Sequence, residues 1–183
     1  MAILKHINVH NDNYHDFITY VLFQHDSHAR PIYDHNHVKK LLENYLIDAI
    51  NTTPWTFNLD CQRSNRQWKK NREPREIKSH HFILSFVPKD VECGLTLEKA
   101  QALGMEFAQK HFSGHQCVVA AHDDGNNHSG NIHLHVCFNS LRITELARIR
   151  QALDETKQKC NSVEDFKAIL KQEHNIVVTG GQP

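Results

Sequence analysis

No stretch of this 183-residue chain approaches the ~20 consecutive apolar residues that a membrane span requires, so no spanning segment is expected. The opening Met1-Ala2-Ile3-Leu4-Lys5-His6-Ile7 has no long apolar core, which argues against a secretion signal and for the cytoplasm. Net charge is absent as well: Lys+Arg and Asp+Glu number 21 each. Overall basicity therefore supports no partner, and a nucleic acid would have to be held by a local patch. The five cysteines (Cys61, Cys93, Cys117, Cys137, Cys160) include no Cys-x-x-Cys pair, and this odd, scattered set reads as reduced thiols that mostly fill the core. Internal repeats and low-complexity tracts are missing. What remains, 39% hydrophobic and 23% charged residues, is an ordinary globular composition for one domain with at most a small appendage.

Histidine is the excess: 16 residues, roughly four times its usual share. Their placement depends on the elements that carry them. Ala2 to Val9 alternates loosely and predicts a short strand. Asn11 can cap a helix over Tyr14 to Gln24, where Phe17, Ile18, Val21 and Leu22 stand at helical spacing. His25 to about Lys40, with Pro31, reads as a surface loop, and Leu41 to Ile50 as a short apolar cluster of undetermined type. Thr53-Pro54 opens a helix expected to run to about Asn71. His80 to Val87 is a strand ending at Pro88. Thr96 caps an apolar-faced helix through Phe112. Gln116 to His122 and Asn131 to Leu141 are strands around an Asp123 to Gly130 loop. Two helices follow, Thr144 to Lys159 and Val163 to Glu173, and then Ile176 to Thr179 and a Gly-Gly-Gln-Pro tail. The order predicts an α+β fold: an antiparallel sheet with helices packed on one face.

In Ile132-His133-Leu134-His135-Val136-Cys137-Phe138-Asn139, a two-residue period sends Ile132, Leu134, Val136 and Phe138 to the core and His133, His135, Cys137 and Asn139 to the other face. Two imidazoles so spaced can bind one ion. His122 ends the preceding strand and can complete a three-imidazole set with open positions for a divalent metal such as Zn²⁺ or Mn²⁺. Asp124 can orient a ligand imidazole or accept a proton. A plain strand with solvent-facing polar residues is the alternative. Only four tyrosines are present (Tyr14, Tyr20, Tyr33, Tyr45). Spacing alone makes Tyr20 an amphipathic-helix tyrosine like any other. From Arg63 to Lys78 seven basic residues (Arg63, Arg66, Lys69, Lys70, Arg72, Arg75, Lys78) face two acids, with Trp68 between them. Such a stretch can track phosphates and offer a base a stacking surface, or it can be a solvated helix face with a tryptophan anchor.

Together these residues resemble the relaxase (mobilisation nuclease) family of histidine-hydrophobic-histidine endonucleases, most of all those of conjugative transposons and mobile plasmids of Gram-positive bacteria. The likeness runs from Ile3 to about Arg142. It is carried by Met1 to Ile7, Thr19-Tyr20-Val21-Leu22-Phe23-Gln24, Ile77 to Phe86, Ala100-Gln101-Ala102-Leu103-Gly104, Gly114-His115-Gln116, His122-Asp123-Asp124-Gly125, Gly130 to His135 and Asn139-Ser140-Leu141-Arg142. The resemblance implies a ferredoxin-like palm in residues 1–142, with a helical appendage in 143–183. It implies a nickase and strand transferase that cuts one strand at an origin of transfer and stays joined to the new 5′ end through a tyrosine. Tyr20 matches that tyrosine, with Tyr14 in reserve and Asp124 as a second catalytic group. His122, His133 and His135 would hold Mn²⁺, Mg²⁺ or Zn²⁺. Ser85, His81, Asn139, Arg66, Lys69, Lys70, Arg72 and Trp68 are assigned to DNA. The implied partners are single-stranded DNA and an accessory relaxosome protein. The chain stops at 183 where family members usually continue, so the expectation is a naturally shortened or internally deleted version of such a protein, or an excised piece of one. Neutral charge suggests modest DNA affinity, strengthened at acid pH as histidines titrate. Two other functions fit the residues: a non-catalytic binder of origin DNA or regulator of a longer relative, and a tri-histidine metalloenzyme acting on a small molecule.

Overall fold

The computed structural model describes residues 2–26, 28, 30–123 and 131–179. Its elements run β1 (Ile3–Val9), α1 (His15–Leu22), β2 (Tyr45–Ile50), α2 (Phe57–Trp68), β3 (Ser79–Ser85), α3 (Pro88–Glu92), α4 (Leu97–Phe112), β4 (His115–His122), β5 (His133–Arg142), α5 (Ile143–Lys159) and α6 (Val163–His174). The strands form one sheet in the order β1-β3-β5-β4-β2. Antiparallel registers include Ile3↔Ser85 between β1 and β3, Ser85↔His133 between β3 and β5, and Tyr45↔His122 between β2 and β4. The α+β class and the antiparallel sheet are those expected from the sequence.

The helices, however, divide between two faces. Alternate residues of β4 explain why. Val118 and Ala120 pack with Ile18, Val21 and Leu22 of α1 and Phe57 and Cys61 of α2. Cys117, Val119 and Ala121 pack on the other side with Ala100 and Ala108 of α4, joined by Leu134, Val136 and Phe138 of β5. A central strand buried on both sides needs no polar alternation, so its apolar run gives no sign of how many faces are covered. The undetermined cluster at 41–50 is an edge strand, β2, whose half-buried residues pair along β4.

Local chemistry sets the ends. Thr96 Oγ1 accepts from Lys99 N at 3.3 Å and starts α4, as its sequence position predicts. Asn11 does not cap α1: its side chain accepts from Asn13 N and donates to Asp16, and Tyr14 occupies the cap position. α2 stops at Trp68 because Lys69 turns into the left-handed region, as does Asn71. The described residues of 23–41 form a narrow ribbon rather than a bare loop, with bridges Phe23↔Leu41, His25↔Pro31 and Tyr33↔Lys39.

The chain divides into two compact units, Met1–Leu141 and Arg142–Pro183. In the second, α5 and α6 pack together, and Lys159 Nζ meets Glu173 Oε2 at 2.6 Å. No helix among the described residues is long and apolar enough to cross a membrane.

One contact fixes α4 against the sheet. A Cβ on Gly104 would lie 2.5 Å from Leu134 Cδ1 and 2.8 Å from Val119 Cγ1. Gly104→Ala should therefore lower stability by about 1–3 kcal/mol despite alanine's better helix propensity, read as a lower urea midpoint. An unchanged or higher midpoint would contradict this packing.

Candidate active site

β4 and β5 run side by side, which brings the end of one to the start of the other. His122 Nε2 lies 3.0 Å from His135 Nε2, their rings nearly parallel with centroids 4.9 Å apart. The His133 ring stands 5.7 Å from that of His122 and 6.5 Å from that of His135. β3 adds a second row. His81 Nε2 is 2.9 Å from His135 Nδ1, and Ser85 Oγ is 3.0 Å from His133 Nδ1.

Burial sets the charge state of this cluster. His135 is 2% exposed. Desolvation first, then the neighbouring His122, His81 and His133, hold its pKa well below the usual histidine value. Desolvation, with Lys5 nearby, pushes His81 down to about 4. Both rings are neutral at physiological pH, as metal ligation and hydrogen-bond acceptance require.

The donor set suits a divalent ion. Two ligand bonds of about 2.0–2.1 Å to one ion, set at 90° to the tetrahedral angle, place their nitrogens roughly 3 Å apart. The His122–His135 pair has that spacing, and His133 lies beside it. As they stand, no three His, Cys, Asp or Glu side chains among the described residues are arranged to enclose an ion. His122, His133 and His135 are near one another without forming a closed site. Asp124 lies outside the described residues.

α1 leans Tyr20 over the cluster. Its ring centroid is 5.6 Å from that of His135, 6.1 Å from His81 and 5.5 Å from His25. Tyr20 is 36% exposed, so the phenol borders solvent, and partial burial raises its pKa. Tyr14 is different. It is 3% exposed, donates to Lys78 O at 3.1 Å and accepts from Asn65 Nδ2 at 2.7 Å. Burial raises its pKa beyond the usual tyrosine range. The reserve tyrosine is a structural lock between α1, α2 and β3.

Asn139 lies deeper. It shares a strand face with His133 and His135, but it is fully buried. Its Nδ2 donates to Asn65 Oδ1 and Gln116 Oε1, and its Oδ1 accepts from Asn71 Nδ2 and Leu141 N. His81 and Ser85, assigned to DNA from the sequence, bond to imidazoles of the cluster.

The basic stretch lies at the surface. Arg66, Lys69, Lys70 and Arg72 are exposed and Trp68 is half-buried. Arg66, Lys70 and Arg72 line a cleft with Asp12, Gln62, Asn65 and Asn71. A second cleft, lined among others by Asn11, Asn13, Phe17, Tyr20 and His81, borders the imidazole cluster. The β1–α1 loop contributes to both, through Asp12 to one and through Asn11 and Asn13 to the other.

Sequence reasoning missed His25, whose ribbon position next to Tyr20 has no local signal. It also missed the contacts of β3, although the shared face of His81 and Ser85 was visible in the alternation.

A family model described as "Relaxase: MobA/VirD2-like, nuclease domain" matches residues 33–175. No curated protein and no solved structure matches the chain. The family match includes all three imidazoles and both helices after β5, and begins after α1, so Tyr20 stands on its geometry.

Proposed function

The chain belongs to the relaxase family, matching its MobA/VirD2-like nuclease domain over residues 33–175, and on that premise we propose that it is a metal-dependent, site- and strand-specific DNA nickase and strand transferase acting at an origin of transfer. The nuclease function is assigned to residues 1–142 and an appended role to 143–183. The observation that carries the reading is the solvent-bordered Tyr20 phenol, 5.6 Å by ring centroid from a buried neutral imidazole of the cluster.

Tyr20 acts as nucleophile. Its oxygen attacks the scissile phosphorus, a new O–P bond forms, the bond from phosphorus to the 3′ oxygen breaks, and the leaving 3′ oxygen takes up a proton. The phenol must first give up its own proton, since its raised pKa keeps it protonated. His25, with its pKa lowered by desolvation, is a neutral imidazole beside the phenol that can accept it. One phosphodiester replaces another, so the strand can later be rejoined. His122, His133 and His135 would hold the divalent ion (Mn²⁺, Mg²⁺ or Zn²⁺), with Asp124 assigned to orient a ligand or move a proton. When bound, such an ion supplies positive charge to offset the charge that builds on the phosphate oxygens in the transition state.

Single-stranded DNA is the proposed substrate, followed by the cations beside the site, and an accessory relaxosome protein is a proposed partner. Replacing Arg66, Lys70 and Arg72 together with alanine should weaken binding of a fluorescent single strand. The slope of log affinity against log salt should fall by roughly 0.7 per lost phosphate contact. An unchanged slope would remove these residues from the DNA path.

The decisive experiment incubates the protein with Mn²⁺ and a pool of 3′-labelled single strands of random sequence, followed by denaturing electrophoresis. Label migrating with the protein is expected. Binding without a covalent adduct would favour a non-catalytic origin binder. Neither binding nor adduct would favour a tri-histidine enzyme for a small molecule.

A further inference from the structure

We infer that His81 and Ser85 are positioning residues: from β3 they hold the Nδ1 atoms of His135 and His133, leaving Nε2 of each ring as the atom that faces a divalent cation. The inference rests on the proposed metal-dependent reading of the same site, and concerns residues that the sequence assigned to DNA instead.

The register builds the arrangement. β3 and β5 are antiparallel, with Ser85 opposite His133, Ile83 opposite His135 and His81 opposite Cys137. Side chains of paired residues lie on the same sheet face, so Ser79, His81, Ile83 and Ser85 form a row beside Asn139, Cys137, His135 and His133. Ser85 meets His133 directly across, at 3.0 Å to Nδ1. His81 meets His135 diagonally, at 2.9 Å from Nε2 to Nδ1. The two support contacts come from one strand, four residues apart.

Proton bookkeeping then gives them a role. A neutral imidazole carries one N–H. If His81 Nε2 accepts, the proton sits on His135 Nδ1, and His135 Nε2 presents a lone pair toward His122 Nε2, 3.0 Å away. If His81 Nε2 donates instead, the proton moves to His135 Nε2 and the ligand is lost. His81 is buried, which disfavours the charged ring that could only donate and leaves a neutral ring whose Nε2 can accept. Ser85 Oγ can accept from His133 Nδ1 in the same way. Metal-bound histidines usually lean on a carboxylate or a carbonyl. Here the supports are an imidazole and a hydroxyl, both neutral. These two supports therefore add no negative charge of their own beside the cation.

Three full-length proteins test this: wild type, His81→Leu, which keeps apolar bulk without an acceptor, and His81→Gln, which returns an amide oxygen near the place of Nε2. Mn²⁺ binding is measured by calorimetry and Co²⁺ binding by its visible spectrum. Long-range ¹H–¹⁵N spectra of the metal-free proteins read the His135 tautomer. The expected result is an Nδ1–H tautomer in wild type, Mn²⁺ affinity roughly 10- to 100-fold weaker in His81→Leu, and recovery of most of that loss in His81→Gln. Wild-type affinity in a folded His81→Leu, or an Nε2–H tautomer of His135 in wild type, overturns the inference; the second reading decides even if the leucine variant fails to fold. Mn²⁺ binding with the expected tautomer but no DNA adduct would refute the nickase reading alone. No Mn²⁺ binding by wild type would refute both.

Discussion

In a Tyr20→Phe variant the covalent DNA adduct should fall to background, a loss of roughly 10⁴-fold or more, as expected when the only nucleophilic atom of a covalent catalyst is removed. Mn²⁺ affinity and thermal stability should stay at the wild-type level. Phenylalanine keeps the ring that rests against His135, His81 and His25 and removes one oxygen at the border of solvent. That separation is what makes the variant informative, because loss of adduct cannot then be blamed on a collapsed site. Tyr14→Phe is the matched control. It should still form the adduct, yet be less stable by about 1–3 kcal/mol, because the Asn65 amide that donates to the Tyr14 hydroxyl would lose its buried acceptor. A denaturing gel and a urea titration read both. Persistence of the adduct in Tyr20→Phe, or its loss in Tyr14→Phe, would reverse the roles of the two tyrosines.

The contrast between these two side chains shows where the sequence was readable. Period-two alternation in β5 told which residues share a face with His133 and His135, and the strong pattern of α4 with its Thr96 cap placed that helix correctly. Alternation cannot tell how far along a face a helix extends. Tyr14 and Tyr20 occur six residues apart, and spacing alone cannot say that one is sealed under α2 while the other leans over the imidazoles. Nor did the apolar run of β4 reveal that helices cover both of its sides. The ribbon that carries His25 is held by backbone hydrogen bonds such as Gln24 N to Lys40 O and Ile32 N to Gln24 O. Backbone groups are common to every residue, so such pairing leaves almost no mark in the sequence. β3 was found as a strand, but the partners of His81 and Ser85 depended on the register with β5, which is a tertiary fact.

Asn139→Ala should cost about 2–4 kcal/mol of stability without changing the affinity of the folded protein for single-stranded DNA. The estimate follows from what the amide joins. Its Nδ2 is shared between Asn65 of α2 and Gln116 of β4, and its Oδ1 serves Asn71 and the backbone of Leu141. Alanine leaves the Gln116 and Asn65 oxygens short of a donor in a region closed to solvent. Since a domain of this size is held by only about 5–15 kcal/mol, the loss should appear as a large drop in the urea midpoint. The same geometry explains how Asn139 shares a strand face with the imidazoles while its amide serves the scaffold. One face of β5 is used in two ways along its length. Toward Asn139 it is sealed by α2 through Asn65. Toward His133 and His135 the neighbour is α1, which brings Tyr20 with a partly exposed ring. A folded Asn139→Ala protein of wild-type stability but weakened DNA binding would mean that the strand stays open along its whole length, and the boundary drawn here between scaffold and site would have to move.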